Sequence, residues 1–189
     1  MLAINIEQIQ QQVQSATTLQ LIGSGSQLQQ TQADVLDMSQ YQGVIDYHPQ
    51  ELMLTVKAGT TIEQIKQTLA VHNQALPFST TSTTIGAAYA MGGAEFRDAV
   101  LGVKIIDGQG RILNFGGQVM KNVAGYDVTR LLVGSKGKLA VICEVSLKVL
   151  PLAYVAQTNN SATVSQPSLL KQKIADGLKQ VFDPKAVFV

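Results

Sequence analysis

The sequence predicts an α+β domain, in which short strands and amphipathic helices alternate along one chain. From Leu139 to Val149 apolar residues occupy every second position, as a strand with one face on a core requires. Ile62, Ile65 and Leu69 recur instead at helical spacing. With 189 residues, 46% hydrophobic and 14% charged, the chain has enough apolar material for one domain or one domain with two lobes.

Composition excludes several classes of function. The net charge is +1 and no run of Lys or Arg occurs, so nucleic acid and anionic membranes are not expected partners. The single cysteine, Cys143, allows neither an internal disulfide nor a cysteine-ligated iron–sulfur cluster. No apolar run is long enough to span a bilayer, and no basic segment precedes an apolar one at the N-terminus. We therefore expect a cytoplasmic protein, with peripheral attachment to the inner membrane through partners left open.

The first elements lead into a glycine-serine loop. Residues 2–14 have helical apolar spacing, and Leu19–Ile22 is a short strand that runs into Gly23, Ser24, Gly25 and Ser26. Such a loop can surround phosphate oxygens with backbone N–H groups. A Rossmann fingerprint would need a third glycine at position 28, which is Leu28, so a nicotinamide dinucleotide is not favoured. A plain loop is the alternative.

The next segment predicts three strands and a helix. Val35–Met38 is one strand, and Val44–Tyr47 with Leu52–Lys57 forms a hairpin whose turn contains His48. His48 and His72 lie far apart in sequence without carboxylate clusters, so no metal site is predicted. Thr60 and Glu63 have the spacing of a capping box for a helix that reaches about Asn73.

The middle of the chain predicts two helical segments and a second hairpin. Thr84 is placed to cap a helix over Ile85–Met91 that ends at Gly92. Arg97 and Asp98 suggest an ion pair that fixes the following loop. Two strands follow, joined by a turn with glycine at both ends, and they comprise Val100–Asp107 and Arg111–Phe115.

The stretch from Phe115 to Pro151 concentrates the local signals. Asp127 is placed to cap a helix over Val128–Val133, and the turn Gly134–Gly137 leads into the long strand. Strict alternation predicts that this strand is buried on one face only. A glycine-rich turn lets the backbone come close to a flat cofactor, although an ordinary helix–turn–strand connection explains the same residues.

Resemblance to a known family begins in this stretch. KNVAGYDVTRLLVGSKGKLAVICEVSLKVLP resembles the FAD-binding subunits of bacterial glycolate oxidases (glycolate dehydrogenases). VIDYHPQELMLTVKAGTTIEQIKQTLAVHNQALPF, AEFRDAVLG and the C-terminal LKQVFDPKAVFV are similar to the same family. The resemblance implies a two-lobed, FAD-binding (PCMH-type) domain of the vanillyl-alcohol oxidase type.

The resemblance also implies cofactor-binding residues. The Gly/Ser loop would hold the FAD pyrophosphate, a second segment would lie against the flavin and pyrophosphate, and the turn and start of the last long strand would lie along the flavin. Ala87 stands where the family has a second glycine, and no histidine lies in the Gly/Ser loop, which predicts non-covalent FAD. The implied residues are Gly23, Ser24, Gly25, Ser26, Thr84, Ile85, Gly86, Ala87, Gly137, Lys138 and Ile142.

The resemblance implies a chain without the family's substrate-capping domain. Residues 1–151 would form the FAD-binding domain, residues 152–167 a polar linker in place of the cap, and residues 168–189 a C-terminal helix and tail packed on the FAD domain. The helix over Ser168–Val181 has its apolar side formed by Leu169, Leu170, Ile174, Leu178 and Val181.

The implied function is that of a FAD-binding subunit that helps oxidise a 2-hydroxy acid, glycolate, to a 2-oxo acid, with electrons passed to flavin. The implied partners are a larger flavin subunit and an iron–sulfur subunit. No catalytic base is identified, and the chain is not expected to act alone. Two alternatives remain open: a cofactor-free scaffold or assembly subunit derived from the same fold, which Ala87 favours, and a shortened gene product with impaired folding.

Overall fold

A computed structural model of the chain describes residues 4–23, 32–117, 127–155 and 169–189. Strands and helices alternate as predicted, which confirms the α+β class. Their apolar side chains form one continuous core that includes residues from both ends of the chain, such as Ile9 and Phe188. Within the described residues, no helix is long and apolar enough to cross a bilayer.

A five-stranded antiparallel sheet forms the larger part of the fold. The strands are β3 (Val44–His48), β4 (Met53–Lys57), β6 (Val100–Asp107), β7 (Ile112–Gly116) and β8 (Ala140–Lys148). Their spatial order is β3-β4-β8-β6-β7, so the last long strand lies at the centre. Both predicted hairpins, β3–β4 and β6–β7, are present.

A smaller sheet brings the two ends of the chain together. Strands β1 (Leu19–Ile22) and β2 (Asp34–Asp37) pair in parallel. Phe188 forms a parallel bridge with Leu19, so the C-terminal residues lie beside β1 as an added strand. A third, two-stranded sheet consists of β5 (Gln74–Ala75) and β9 (Leu150–Pro151).

Seven helices accompany these sheets within the described residues. The helix α1 has a capping box in which Asn5 and Gln8 exchange hydrogen bonds. The tight turns after β2 and β3 are short 3₁₀ segments. The helices are α1 (Ile6–Ser15), α2 (Ile62–Ala70), α3 (Ile85–Met91), α4 (Ala94–Ala99), α5 (Val128–Leu131), α6 (Leu152–Val155) and α7 (Leu169–Phe182).

The capping box of α2 lies one residue later than predicted. Thr61, not Thr60, accepts from the backbone of Gln64, and the Gln64 side chain accepts from the backbone of Thr61. The Thr60 hydroxyl is instead hydrogen-bonded to both the N–H and the carbonyl of Gly43, at 2.9 and 3.2 Å. A tertiary contact therefore uses the threonine that the local pattern assigned to the cap.

The predicted Arg97–Asp98 ion pair is wrong. Arg97 donates to the carbonyl of Val133 at 3.2 Å, whereas Asp98 faces Arg130 at 3.9 Å. Both residues lie on α4, where neighbours in sequence point in directions about 100° apart and do not meet.

The central strand is buried on both faces, which corrects the prediction of one buried face. Ala140, Ile142 and Ser146 belong to the face predicted to be polar, yet they are 1%, 6% and 9% exposed. Only Glu144 and Lys148 on that face retain appreciable contact with solvent. Alternation identified the strand but could not show that a central strand is covered from both sides.

The apolar side predicted for α7 is only partly directed inwards. Leu178 packs against the core, and Phe182 is buried. Ile174 and Val181, predicted on the same side, are 48% and 62% exposed. Among the side chains of α7 that the structure describes, those that face the core belong to its C-terminal part, and the predicted side chains of Leu169 and Leu170 lie outside the described residues.

Candidate functional site

The helix α3 begins beside the end of β1. Thr84 caps this helix as predicted, with its hydroxyl accepting from the N–H of Ala87. A β-carbon on Gly23 would lie 3.0 Å from the Thr84 hydroxyl oxygen and 3.8 Å from the β-carbon of Ala87. Residues 23 and 84, far apart in sequence, therefore meet at one place, and only glycine fits at position 23 without displacing a neighbour.

The turn Gly134–Gly137 closes the other end of α3. The N–H of Gly134 donates to the carbonyl of Tyr89 at 3.0 Å, and the N–H of Lys136 donates to that of Ala90 at 2.9 Å. These bonds satisfy carbonyls that a helix end leaves without intrahelical partners. Gly134, Lys136 and Gly137 all have positive φ, of 83°, 56° and 74°, so the turn needs its glycines for conformational reasons.

The same turn reaches β1. A β-carbon on Gly137 would lie 3.7 Å from the side chain of Leu21, two residues before Gly23. The end of β1 therefore contacts the start of α3 through Gly23 and the turn before β8 through Leu21, whereas that turn contacts the other end of α3. The end of β1, the start of α3 and the turn each contain residues that the sequence predicted for the cofactor.

Two of the predicted residues near the start of α3 are engaged within the protein. The Ile85 side chain is fully buried, and its N–H donates to the carbonyl of Thr60. Gly86 packs on Ala58, whose carbonyl accepts the Gly86 N–H at 2.8 Å. A β-carbon at Gly86 would lie 2.9 Å from that of Ala58, so this glycine permits close packing of α3 on β4.

The remaining predicted residues are placed differently. Lys138 is exposed, and its carbonyl accepts a hydrogen bond from Lys179 at 2.7 Å. Ile142 is buried near the start of β8. Ser24, Gly25 and Ser26 lie outside the described residues, so Gly23 alone represents the predicted loop.

Two buried hydroxyl groups have no hydrogen-bond partner within the described part of the chain. They belong to Thr129, on α5, and Ser135, in the turn that closes α3. A buried hydroxyl without a partner is unfavourable, by about 1–3 kcal/mol, and is a natural place for a ligand to supply one. The Ser135 hydroxyl is therefore a candidate contact for a bound group.

A cleft lies along the outer side of α3. It has a volume of about 460 Å³ and is open to solvent. The hydroxyl-rich loop 79–82 forms one wall, and Ala88, Met91 and Glu95 line other parts. Ala88 and Met91 lie four residues after Thr84 and Ala87, on the same side of the helix, but the cleft is not lined by Gly23, Thr84, Ala87 or Gly137.

Three ionisable groups of the core around the site are committed to structural contacts. Glu144 is paired with Lys104 at 2.7 Å and accepts from the Tyr41 hydroxyl at 3.3 Å. Burial, then the Glu144 carboxylate, raises the pKa of Tyr41. Burial also raises the pKa of Tyr89, whose hydroxyl donates to the carbonyl of Thr129. These groups stay protonated or paired near neutral pH, so none of them is a candidate general base.

Comparison with known families defines the class of protein. Residues 3–116, more than half of the chain, match the family described as FAD binding domain, and the chain belongs to that family. FAD is the cofactor of this family. The solved structure of an alkyldihydroxyacetonephosphate synthase has the same fold, with a TM-score of 0.61 and 17% sequence identity over 77% of this chain and 30% of that one. The predicted fold of the vanillyl-alcohol oxidase type is confirmed.

Curated relatives point to a particular kind of flavoprotein. The chain is 40% identical to glycolate oxidase subunit GlcE of Escherichia coli over 161 residues, and this alignment covers 77% of this chain and 46% of that subunit. It is 32% identical over 129 residues to glycolate oxidase subunit GlcD of Bacillus subtilis, over 61% of this chain and 27% of that one. The chain thus spans less than half the length of either relative.

The sequence missed two contacts and one hydroxyl group that shape the site. Tyr89 joins α3 to α5, and Lys179 bonds the Lys138 carbonyl. The Ser135 hydroxyl lies in the turn without a partner among the described residues. The i, i+4 spacing of Lys179 and Asp183 was a visible signal of local pairing. No sequence signal connects Tyr89 with Thr129.

Proposed function

We propose that this chain is the FAD-binding subunit of a complex that oxidises a 2-hydroxy acid, glycolate, to the 2-oxo acid glyoxylate. The observation that carries the proposal is that one strand, β1, contacts both other segments predicted for the cofactor, in a member of the FAD binding domain family: Gly23 lies against Thr84 and Ala87, and Leu21 lies against Gly137. The 40% identity to a glycolate oxidase subunit supports the choice of substrate class.

The residues present fit a dinucleotide cofactor. Close approach of backbone is possible at Gly23, where a side chain would strike Thr84, and at Gly137, which has a left-handed conformation. The unpaired Ser135 hydroxyl offers a hydrogen bond. We assign the phosphate-facing role to the Gly23 end of β1 and the flavin-facing role to the turn 134–137 and the start of β8 near Ile142.

The chain's own part in the reaction is to bind and orient the cofactor. Bound FAD would supply the chemistry by accepting the two electrons that leave the hydroxy acid. Thr84 fixes the start of α3, and the turn 134–137 fixes its end, so both walls are rigid before the cofactor arrives. Structural contacts occupy Tyr41, Tyr89 and Glu144, and we assign proton removal and substrate enclosure to partner subunits.

We propose that FAD is held without a covalent bond. The chain has two histidines, and neither lies on β1, on α3 or in the turn 134–137. His48 contacts Asp46 at 2.9 Å, and His72 packs edge-on against the Tyr47 ring. Cys143 is fully buried in β8. The partners that we propose are a larger flavin subunit and an iron–sulfur subunit, with any contact to the inner membrane made through them.

The visible spectrum of the protein expressed with excess FAD tests the proposal. We expect a yellow protein that releases its FAD on denaturation, and glycolate-dependent reduction of a dye only when the partner subunits are added. A stable, folded and colourless protein would overturn the cofactor assignment and leave the scaffold alternative. A yellow protein whose complex ignores glycolate but reduces the dye with another 2-hydroxy acid would overturn the substrate assignment alone.

A further inference from the structure

The side chain of Lys179 forms hydrogen bonds with three other residues. Its ammonium group donates to the carbonyl of Lys138 at 2.7 Å, to the carbonyl of Phe188 at 2.7 Å and to the carboxylate of Asp183 at 2.6 Å. An ammonium group has three donors, so all of them are used. Lys179 thus links the last turn of α7 to the turn before β8 and to the C-terminal tail.

Asp183, which pairs with Lys179, also holds the backbone of the C-terminal tail. Its carboxylate is buried and accepts from the N–H groups of Val187 and Phe188, at 2.8 and 2.9 Å. A buried carboxylate is tolerated when it is paired and fully hydrogen-bonded, as it is here. The tail after α7 is therefore folded around one charged pair.

The tail in turn holds β1. The N–H of Leu19 donates to the carbonyl of Val187 at 2.6 Å, and the N–H of Val189 donates to the carbonyl of Leu19 at 3.2 Å. β1 ends at Ile22, directly before Gly23. The tail thus fixes the strand that leads to Gly23, and the bond from Lys179 to Lys138 fixes the turn that contains Gly137.

We infer that Lys179 is a positioning residue for FAD, and that Lys179, Asp183 and residues 187–189 form a C-terminal clasp. The clasp sets the spacing between the Gly23 end of β1 and the turn 134–138. These are the two backbone segments to which the proposed function assigns the cofactor, and the inference rests on that function. Holding both segments in place beforehand removes an ordering cost from binding, which raises affinity without any contact between Lys179 and FAD.

The affinity for FAD tests this inference when Lys179→Met is compared with Lys173→Met. Lys173 is an exposed lysine on the same helix, so its replacement removes a charge but no clasp contact. We expect FAD affinity about tenfold weaker in Lys179→Met, the size typical of coupling between sites, and unchanged in Lys173→Met. Both titrations are made well below the unfolding temperature of each variant, so that loss of fold does not contribute.

Hydrogen exchange without FAD gives a second readout that a general loss of stability would not produce. The clasp predicts faster amide exchange in residues 19–23 and 134–138 of Lys179→Met, with unchanged exchange in the paired residues of β6 and β8. If Lys179→Met does not fold, Lys179→Gln retains two donors without the charge and serves for both measurements.

The outcomes separate the two proposals. If the unaltered chain binds FAD and Lys179→Met binds it equally well, the clasp inference is overturned and the proposed function stands. If exchange rises uniformly over the whole chain, Lys179 has only a general structural role. If the unaltered chain takes up no FAD, the proposed function fails, and the clasp loses its role in cofactor positioning with it.

Discussion

Gly23 and Thr84 meet so closely that a β-carbon on the glycine would lie 3.0 Å from the threonine hydroxyl oxygen. That contact is tighter than most real ones, so a side chain at position 23 must displace the residue that caps α3. It also places the end of β1 against the start of α3. The two predicted cofactor segments are therefore one structural unit, and a change in either affects both.

Replacing Gly23 by valine is expected to weaken FAD binding more than it weakens the fold. The branched side chain would push on Thr84 and Ala87 and so shift the start of α3 away from the end of β1, the two segments that we assign to the cofactor. Since coupling losses of this kind are commonly tenfold or more, we expect FAD affinity to fall by at least about tenfold. Fluorescence titration of FAD measures it. Gly177→Ala, which meets nothing within 4 Å, is the control; an unchanged affinity for Gly23→Val would contradict the assignment.

Gly108→Ala is expected to destabilise the whole domain. A β-carbon at Gly108 would lie 2.8 Å from the Asp183 carboxyl carbon and 2.9 Å from its α-carbon, and the Gly108 N–H donates to the Phe182 carbonyl. The substitution must separate the C-terminal segment from the β6–β7 turn and disturb a buried carboxylate. We expect a loss of about 2–3 kcal/mol in the free energy of unfolding, measured by urea denaturation. A loss below about 0.5 kcal/mol, the size of a neutral surface change, would show that the tail docks elsewhere.

Gly177→Ala is expected to stabilise the protein. Gly177 lies inside α7, its ideal β-carbon meets no atom within 4 Å, and it is exposed. Alanine is favoured over glycine in a helix interior by about 0.8–1 kcal/mol, because glycine loses more conformational freedom on folding. Urea denaturation should show a gain of that size. A loss of stability would indicate that this part of α7 is not helical in solution.

Stability should fall at alkaline pH because of Cys143. Burial, followed by the Glu144 carboxylate, raises the pKa of this thiol from an ordinary 9.0 to about 12. Between these values the unfolded chain loses a proton that the folded chain keeps. The contribution of the protonated thiol to the free energy of unfolding is therefore complete below pH 9. It is lost as the pH rises toward 12, by about 1.4 kcal/mol per pH unit.

Between pH 9 and 10, the loss of stability caused by the Cys143 thiol can be separated from that caused by buried tyrosines. Burial also raises the pKa of Tyr41 and Tyr89, but tyrosine in the unfolded chain ionises mainly above its ordinary value of 10.0. Cys143→Val removes the titrating group and keeps the position apolar, so the decline over this interval should flatten. The measurement is the free energy of unfolding at pH 7, 9 and 10. An equal slope in both proteins would assign the decline to other groups.

Local rules predicted most of the fold. Thr84 as a cap, the two hairpins and the Gly134–Gly137 turn depend on neighbouring residues and are found where the sequence placed them. Thr60 is a residue for which the local rule gave the wrong result. Its hydroxyl bonds the backbone of Gly43, seventeen residues away, and leaves the cap to Thr61.

The site was predictable only as separate segments. Glycine content marked Gly23 and Gly137, because a left-handed turn or a close approach requires that residue. Their convergence depends on the tail beside Leu19 and on Lys179 reaching Lys138, contacts between residues more than forty positions apart. The alternation in β8 likewise identified a strand without revealing that its polar face is covered. Long-range packing decides such features, and periodicity does not report it.

The position of Val187–Val189 beside β1 makes the small sheet depend on partners that are far apart in sequence. Leu19 bonds the backbone of Val187 and Val189, whereas each hairpin of the large sheet pairs strands that follow one another along the chain. Pairing across a long loop has a larger entropic cost and is slower than pairing across a short turn. One edge of β1, the strand that leads to Gly23, is therefore expected to find its partner after both hairpins have formed.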